Sequence, residues 1–188
     1  MRDINKAVGL DLYLFPYGVL PTGYERGIIQ VIALLRDINK AVGLDLYLFP
    51  YGVLPTGYER GIIQVVPNTR SRNQMGDVTD GGLFDIFQNE FGAIGSAGFE
   101  RARHNFIVSS AAYAVASLLL QPKDRHNGNL LVDNDGRLVH IDFGFILETS
   151  PAGNLRFESA QFKLSHEMTQ ILDPSGDLKS EPWHRFVG

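Results

Sequence analysis

Asp124-Arg-His-Asn-Gly-Asn129-Leu-Leu-Val-Asp-Asn-Asp-Gly136-Arg-Leu-Val-His-Ile-Asp142-Phe-Gly144 is the stretch of this 188-residue chain from which fold and chemistry are read. Two short apolar runs flank Asn134-Asp135-Gly136. Asp-Gly is a strong two-residue hairpin signal, because both central positions of the turn need positive φ. With Asp135-Gly136 as the turn, paired residue numbers sum to 271, so Asn129 faces Asp142 and Val132 faces Val139. Leu130, Val132, Val139 and Ile141 then share an apolar, core-directed face, and Asn129, Leu131, His140 and Asp142 share the other. Opposed Cβ atoms in such a pair lie about 4.5–5.5 Å apart. An amide oxygen and a carboxylate at that separation suit a hard cation such as Mg2+, which keeps several positions for water and phosphate. A longer, bulged loop shifts the register by one residue.

A hard cation and a group that orients and deprotonates a hydroxyl are the parts that phosphoryl transfer needs. Asp124 and His126, just upstream of Asn129, suit the second task, and either can be the base. Asp-Phe-Gly, a histidine or an Asp-Gly turn alone carries no such meaning; order and spacing together do. His140 is balanced between a site-facing role and strand packing, and His104, His166 and His184 show no ligand spacing.

Upstream, residues Arg2 to Val31 recur without change as Arg36 to Val65, joined by Ile32-Ala33-Leu34-Leu35. Structural repeats diverge, and solenoids need three or more copies, so this reads as a recent duplication or an artefact, with residues 1–31 the extra copy. Only one copy can fill a given place in a fold. The second continues directly into the rest of the domain and is expected to be the one in use. It reads as a helix from Ile32 to Val42 stopped by Gly43, a strand over Leu44 to Pro50, a turn at Pro55-Thr56-Gly57 and a short strand from Gly61 to Val66. Asn68 to Gly82 reads as a polar loop, Leu83 to Phe91 as a short helix, and Phe99 to Leu120 as the strongest helix, ended by Gln121-Pro122. Its apolar part, Phe106 to Leu120, holds three serines and is too short to span a bilayer comfortably; it reads as a core helix.

Composition agrees with an ordinary folded domain: 44% hydrophobic and 20% charged residues exclude a disordered chain. A net charge of −4 gives no overall basic field for nucleic acid, while a local patch can still meet a lipid surface. With no cysteine there is neither a disulfide framework nor a zinc site of cysteine type, which fits a reducing compartment. The first residues hold no apolar signal core.

At Asp124-Arg-His-Asn-Gly-Asn129 and Asp142-Phe-Gly144 the sequence resembles the phosphatidylinositol 3/4-kinase superfamily. Within it, Gln121 to Met168 and Tyr47 to Gly76 are similar to the type III alpha phosphatidylinositol 4-kinases. The resemblance implies an α+β, protein-kinase-like two-lobed fold, here incomplete. Residues 32–188 would be a partial catalytic domain, with 32–67 the end of the small lobe and the hinge, and 68–188 the large lobe. It implies ATP-dependent phosphorylation of the inositol 4-hydroxyl of phosphatidylinositol, with ATP and Mg2+ as cofactors. The enzyme would be cytoplasmic and peripheral at a membrane, the plasma membrane being favoured, with regulatory or scaffold partners. Asp124 and His126 match the catalytic positions, Asn129 and Asp142 the magnesium ligands. Gln64, Val65 and Val66 match the adenine hinge, and Leu131 and Ile141 apolar residues around the adenine. Gly144 to about Met168 matches the activation loop that reads the headgroup. Its only fixed cations are Arg156 and Lys163, a sparse set that suits unmodified phosphatidylinositol better than a lipid already phosphorylated.

The resemblance breaks at two points. No glycine-rich phosphate loop precedes the hinge, and none of Lys6, Lys40, Lys123, Lys163 and Lys179 follows a glycine-rich strand. The chain ends at Trp183 to Gly188, before the closing helices of the family. Little activity of the isolated chain and limited stability are therefore expected. Two alternatives stand beside the lipid kinase: a related protein kinase, disfavoured by Thr149-Ser150-Pro151 to Asn154, and a non-catalytic fragment or pseudokinase that only binds partners.

Overall fold

A computed structural model describes residues 24–57, 60–76, 82–147 and 160–188. Among the described residues the first helix, α1 (Tyr24–Ala41), is followed by a hairpin of β1 (Val53–Gly57) and β2 (Arg60–Ile63). Then come β3 (Thr69–Ser71), a 3-10 turn (Arg72–Met75), α2 (Gly82–Phe91) and the long α3 (Ala97–Leu120). A second 3-10 turn (Asn127–Asn129) leads into β4 (Leu130–Asp133) and β5 (Leu138–His140), and α4 (His166–Leu172) and α5 (Glu181–Val187) close the chain. This is an α+β arrangement with one two-stranded and one three-stranded antiparallel sheet, the latter in the order β3-β4-β5.

α3 organises the molecule. Ser96 caps its start, accepting the Phe99 N–H at 3.2 Å, and Gln121 ends it in the left-handed region at φ 46° just before Pro122. The helix buries apolar residues on two sides, each against its own cluster. On one side Phe99 and Phe106 join Leu83 and Phe87 of α2, Leu130, Val132 and Leu138 of the β4–β5 hairpin, and Ile171 and Leu172 of α4. On the other, Ala112, Tyr113 and Ala116 meet Ile28, Ile29 and Ile32 of α1, together with Leu48, Tyr51, Val139 and Phe143. The hairpin thus sits between two clusters. Ser109 ties it to the helix: its buried hydroxyl accepts the Leu138 N–H at 2.8 Å and donates to the Asn105 carbonyl at 2.8 Å.

The register differs from the expected one by a residue. Leu130 pairs with His140 and Val132 with Leu138, so the numbers sum to 270. The loop is the bulged kind: Gly136 donates to the Asp133 carbonyl, Asp133 and Arg137 close the pair, and Gly136 takes φ 84°. A side chain at Gly136 would strike Ala102 of α3 at 2.9 Å, so the glycine also lets the hairpin tip lie against that helix. Packing, not turn propensity, selects the longer loop. A one-residue slip exchanges faces: Val139 and Ile141 lie with Leu131, opposite Leu130 and Val132.

Other departures have local causes. Leu44 to Pro50 alternates like a strand but has no ladder; Tyr47 N–H donates to the Val108 carbonyl and Phe49 N–H to the Tyr113 hydroxyl, so α3 takes the hydrogen bonds a partner strand would. Thr69–Ser71 is an edge strand inside the expected polar loop. α1 starts eight residues before Ile32 and runs straight through position 31, where the sequence places the edge of the duplicated segment. Residues of the second copy form the β1–β2 hairpin and supply Gln64 and Val65. Residues 1–23, Thr149 to Asn154 and Arg156 lie outside the described residues. Among the described residues, no helix is long and apolar enough to cross a membrane.

Candidate active site

The β4–β5 hairpin, the β2 end and β3 enclose a cleft of 640 Å3. Gln64, Val65, Val66, Leu131, Ile141 and Asp142, six of the residues expected to meet nucleotide or metal, line it together. The one-residue slip explains why Leu131 and Ile141 share the wall: they lie on the same face of the hairpin. Gln64 is held by a double clasp, its N–H donating to the Gly52 carbonyl and its Oε1 accepting the Gly52 N–H, each at 2.8 Å. Val66 is buried, its carbonyl accepting from the Thr69 hydroxyl at 2.9 Å, whereas the Val65 side chain is 84% exposed. Tyr51, Ile63, Thr69, Ser71 and Gln74 complete the lining and carried no signal in sequence. Tyr51 approaches Asp142 directly, its hydroxyl accepting the Asp142 N–H at 3.2 Å.

Asn129 links the Asp124 loop, expected to be catalytic, to the segment that carries Asp142. Asp124 and Asp142 both adopt left-handed backbone, at φ 60° and 57°. That conformation is uncommon outside glycine, is tolerated best by Asn and Asp, and clusters where structure over-determines a site. Arg125 is what over-determines it. Nearly buried, it donates from Nε to the Lys123 carbonyl at 3.0 Å, from Nη1 to the Ile141 carbonyl at 2.7 Å, and from Nη2 to the Asp142 carbonyl. Its guanidinium also lies over the Phe143 ring. One side chain therefore fastens the Asp142 carbonyl and the carbonyl just before Asp124.

Asn129 is buried, and its Nδ2 donates to the Asp124 carbonyl at 2.9 Å, which leaves Oδ1 as the atom it can offer a cation. Its carbonyl accepts the Ile141 N–H at 3.1 Å, so Asp142 follows one residue after the true partner of Asn129 rather than facing it. Asp142 is exposed, and its Oδ1 accepts the Gly144 N–H at 3.3 Å. A hard amide oxygen and a carboxylate fit Mg2+ and no thiolate-loving metal. Among the described residues no three His, Cys, Asp or Glu side chains gather to hold a metal, so a cation here would complete its shell with water and phosphate.

His126 is exposed. Its Nδ1 accepts the Gly128 N–H at 3.0 Å, so its Nε2 is the nitrogen turned toward Asp124, 4.0 Å from Oδ2. Lys163 reaches this loop too, its Nζ donating to Asn127 Oδ1 at 3.2 Å. His140 belongs to the core: 2% exposed, it stacks on Tyr113 with ring centroids 4.5 Å apart. Burial, reinforced by the charges of Arg125 and Lys163, pushes it down to about 3. The folded state therefore refuses a proton that the unfolded chain accepts near 6.5. Stability present above that value is lost as pH falls from about 6.5 toward 3, at up to about 1.4 kcal/mol per pH unit. His140→Phe keeps the stack and is expected to flatten this share of the slope, read as urea unfolding free energies of both proteins at pH 7 and pH 4.5.

A sequence profile of the family Phosphatidylinositol 3- and 4-kinase matches residues 25–180, which include the cleft lined by Gln64, Val65, Val66, Leu131, Ile141 and Asp142. The chain belongs to the phosphatidylinositol 3- and 4-kinase family. It is 77% identical over 187 residues to Phosphatidylinositol 4-kinase alpha 1 and 72% identical over 187 residues to Phosphatidylinositol 4-kinase alpha 2, both of Arabidopsis thaliana. To Phosphatidylinositol 4-kinase stt4 of Schizosaccharomyces pombe it is 48% identical over 185 residues. These matches cover 100%, 100% and 98% of this chain but only 8%, 28% and 8% of the relatives. The chain thus spans a small part of each relative's length, and the matched part holds residues 64–66, residues 124–129 and Asp142-Phe-Gly144.

Proposed function

We propose that this chain carries the hinge, catalytic-loop and metal-binding side of a phosphatidylinositol 4-kinase, which transfers the γ-phosphoryl group of ATP to the inositol 4-hydroxyl of phosphatidylinositol. One observation supports this above the others: the hinge segment, Leu131, Ile141 and Asp142 share one cleft, and Arg125 fixes the backbone of Asp142 beside the loop bearing Asp124. Adenine would lie between Val66 and the Leu131–Ile141 wall. Asn129 Oδ1 and the Asp142 carboxylate would hold Mg2+, which neutralises the triphosphate. Asp124 and His126 divide the remaining work. With Nδ1 committed to the Gly128 N–H, neutral His126 carries its proton on Nε2 and acts as a donor toward the transferring phosphoryl group. Asp124 is then the acceptor for the lipid hydroxyl's proton. The sparse cations of the segment after Gly144, Arg156 and Lys163, suit a headgroup without phosphates of its own. Action at the cytoplasmic face of a membrane, most simply the plasma membrane, with regulatory or scaffold partners, goes with that substrate. The test is Mg2+-dependent transfer from ATP to phosphatidylinositol vesicles. Product at the 4-position is expected, and a preference for an already phosphorylated inositol lipid overturns the substrate assignment.

A further inference from the structure

Lys163 was expected among the residues that meet the lipid headgroup, yet its ammonium is turned to the catalytic loop. Its Nζ donates to Asn127 Oδ1 at 3.2 Å across 36 residues of chain. Asn127 opens the 3-10 turn that ends at Asn129. The turn is short, and two bonds to His126 hold it: Gly128 N–H to Nδ1 and Asn129 N–H to the His126 carbonyl, each at 3.0 Å. Lys163 reaches this turn from the segment just before α4, and its base is firm. Leu164 packs on the core around Phe87 and Ile171, and α4 comes immediately after. Glu167 of α4 is gripped by the buried guanidinium of Arg72 through Nε at 3.0 Å and Nη2 at 2.7 Å. Arg72 in turn belongs to the 3-10 turn after β3, on the cleft wall. Among the described residues the ammonium has no carboxylate partner, so its bond to Asn127 is not a by-product of an ion pair.

We propose that Lys163 is a positioning residue that braces the Asn127–Asn129 turn, and with it His126 and Asn129, and is not a ligand of the headgroup. The assignment rests on the kinase reading above for its catalytic consequence, but the bracing contact can be tested without turnover. In the full 188-residue chain, Lys163→Met keeps the length of the side chain and removes the donor, whereas Lys163→Gln retains a donor without the charge. Amide hydrogen exchange at Gly128 and Asn129 is expected to rise about tenfold in Lys163→Met, the size of one hydrogen bond from a charged donor, and to return most of the way in Lys163→Gln. Unchanged exchange in Lys163→Met overturns the bracing contact. In the vesicle assay, Lys163→Met is expected to lower kcat about tenfold with the KM for phosphatidylinositol unchanged, and to lower lipid-independent ATP hydrolysis by the same factor. A raised lipid KM with unaltered ATP hydrolysis overturns the proposal and restores Lys163 to the headgroup. If exchange responds as expected while transfer and ATP hydrolysis match the parent, the brace stands and its catalytic consequence, drawn from the kinase reading, fails.

Discussion

Replacing Asp142 with asparagine is expected to cut Mg2+-dependent phosphoryl transfer at least about 100-fold while leaving the fold intact. Asparagine is the informative substitution. Asp142 sits at φ 57°, and asparagine accepts left-handed backbone almost as readily as aspartate. The side-chain bond to the Gly144 N–H survives, since the amide oxygen accepts as the carboxylate did. Tyr51 and Arg125 hold the backbone of residue 142 and are untouched. The substitution removes the one formal negative charge that the Asn129–Asp142 pair brings to a cation. Changes in residues that merely orient metal ligands typically cost 10–100-fold, which sets about 100-fold as the floor for losing a charged ligand. The ratio of variant to parent is the quantity to measure, because the chain as it stands shows no glycine-rich phosphate loop and its absolute rate is expected to be small. The dependence of ATP affinity on Mg2+, measured by calorimetry, gives a second reading: it should persist in the parent and vanish in Asp142→Asn. An equal Mg2+ effect in both proteins would place the cation elsewhere.

Legibility in the sequence tracks which forces are local. The closeness of Asp124, Asn129 and Asp142 is legible because they lie at short spacing on either side of one hairpin. The α2 and α3 helices are legible because their apolar periods and caps lie within their own residues. The hairpin register is not, because it depends on where Gly136 meets Ala102 more than thirty residues away in the chain. The strand expected over Leu44 to Pro50 fails for a related reason. Alternating side chains say which faces are buried, not what receives the backbone hydrogen bonds, and here the receivers are Val108 and Tyr113 of α3. Tyr51 gives no signal because its role is to meet a backbone N–H in a segment ninety-one residues on. Arg125 stands inside the motif, yet its spacing gives no hint that it fastens the Asp142 carbonyl and the carbonyl just before Asp124.

The duplicated segment supplies the second large effect, since one hexapeptide has two structures in the same molecule. Arg-Gly-Ile-Ile-Gln-Val is helix at residues 26–31, whereas at residues 60–65 it forms strand β2 and the cleft-lining Gln64 and Val65. Its own preferences lean to strand, with three β-branched residues and a glycine that weakens a helix by about 1 kcal/mol. The residues downstream of each copy decide between the two. The first copy runs into Ile32-Ala-Leu-Leu-Arg-Asp-Ile, strong helix formers on an amphipathic pattern, and adding turns to an existing helix is cheap compared with starting one. The second copy runs into Val66-Pro67, which a helix cannot continue through. Burial records the outcome: Ile28 is 5% exposed and packs beneath α3, whereas its twin Ile62 is 62% exposed on the hairpin. Ile28→Ala is therefore expected to cost about 2–5 kcal/mol, the range for emptying a core isoleucine site. Ile62→Ala should cost no more than about 1 kcal/mol, the span of strand preference on an open surface. Urea unfolding of the two variants under identical conditions makes the comparison. Equal losses would mean that the two copies exchange between helix and strand in solution. A large loss at Ile62 alone would put the first copy in the hairpin and the second in the core, with the cleft then built from Gln30 and Val31 instead of Gln64 and Val65.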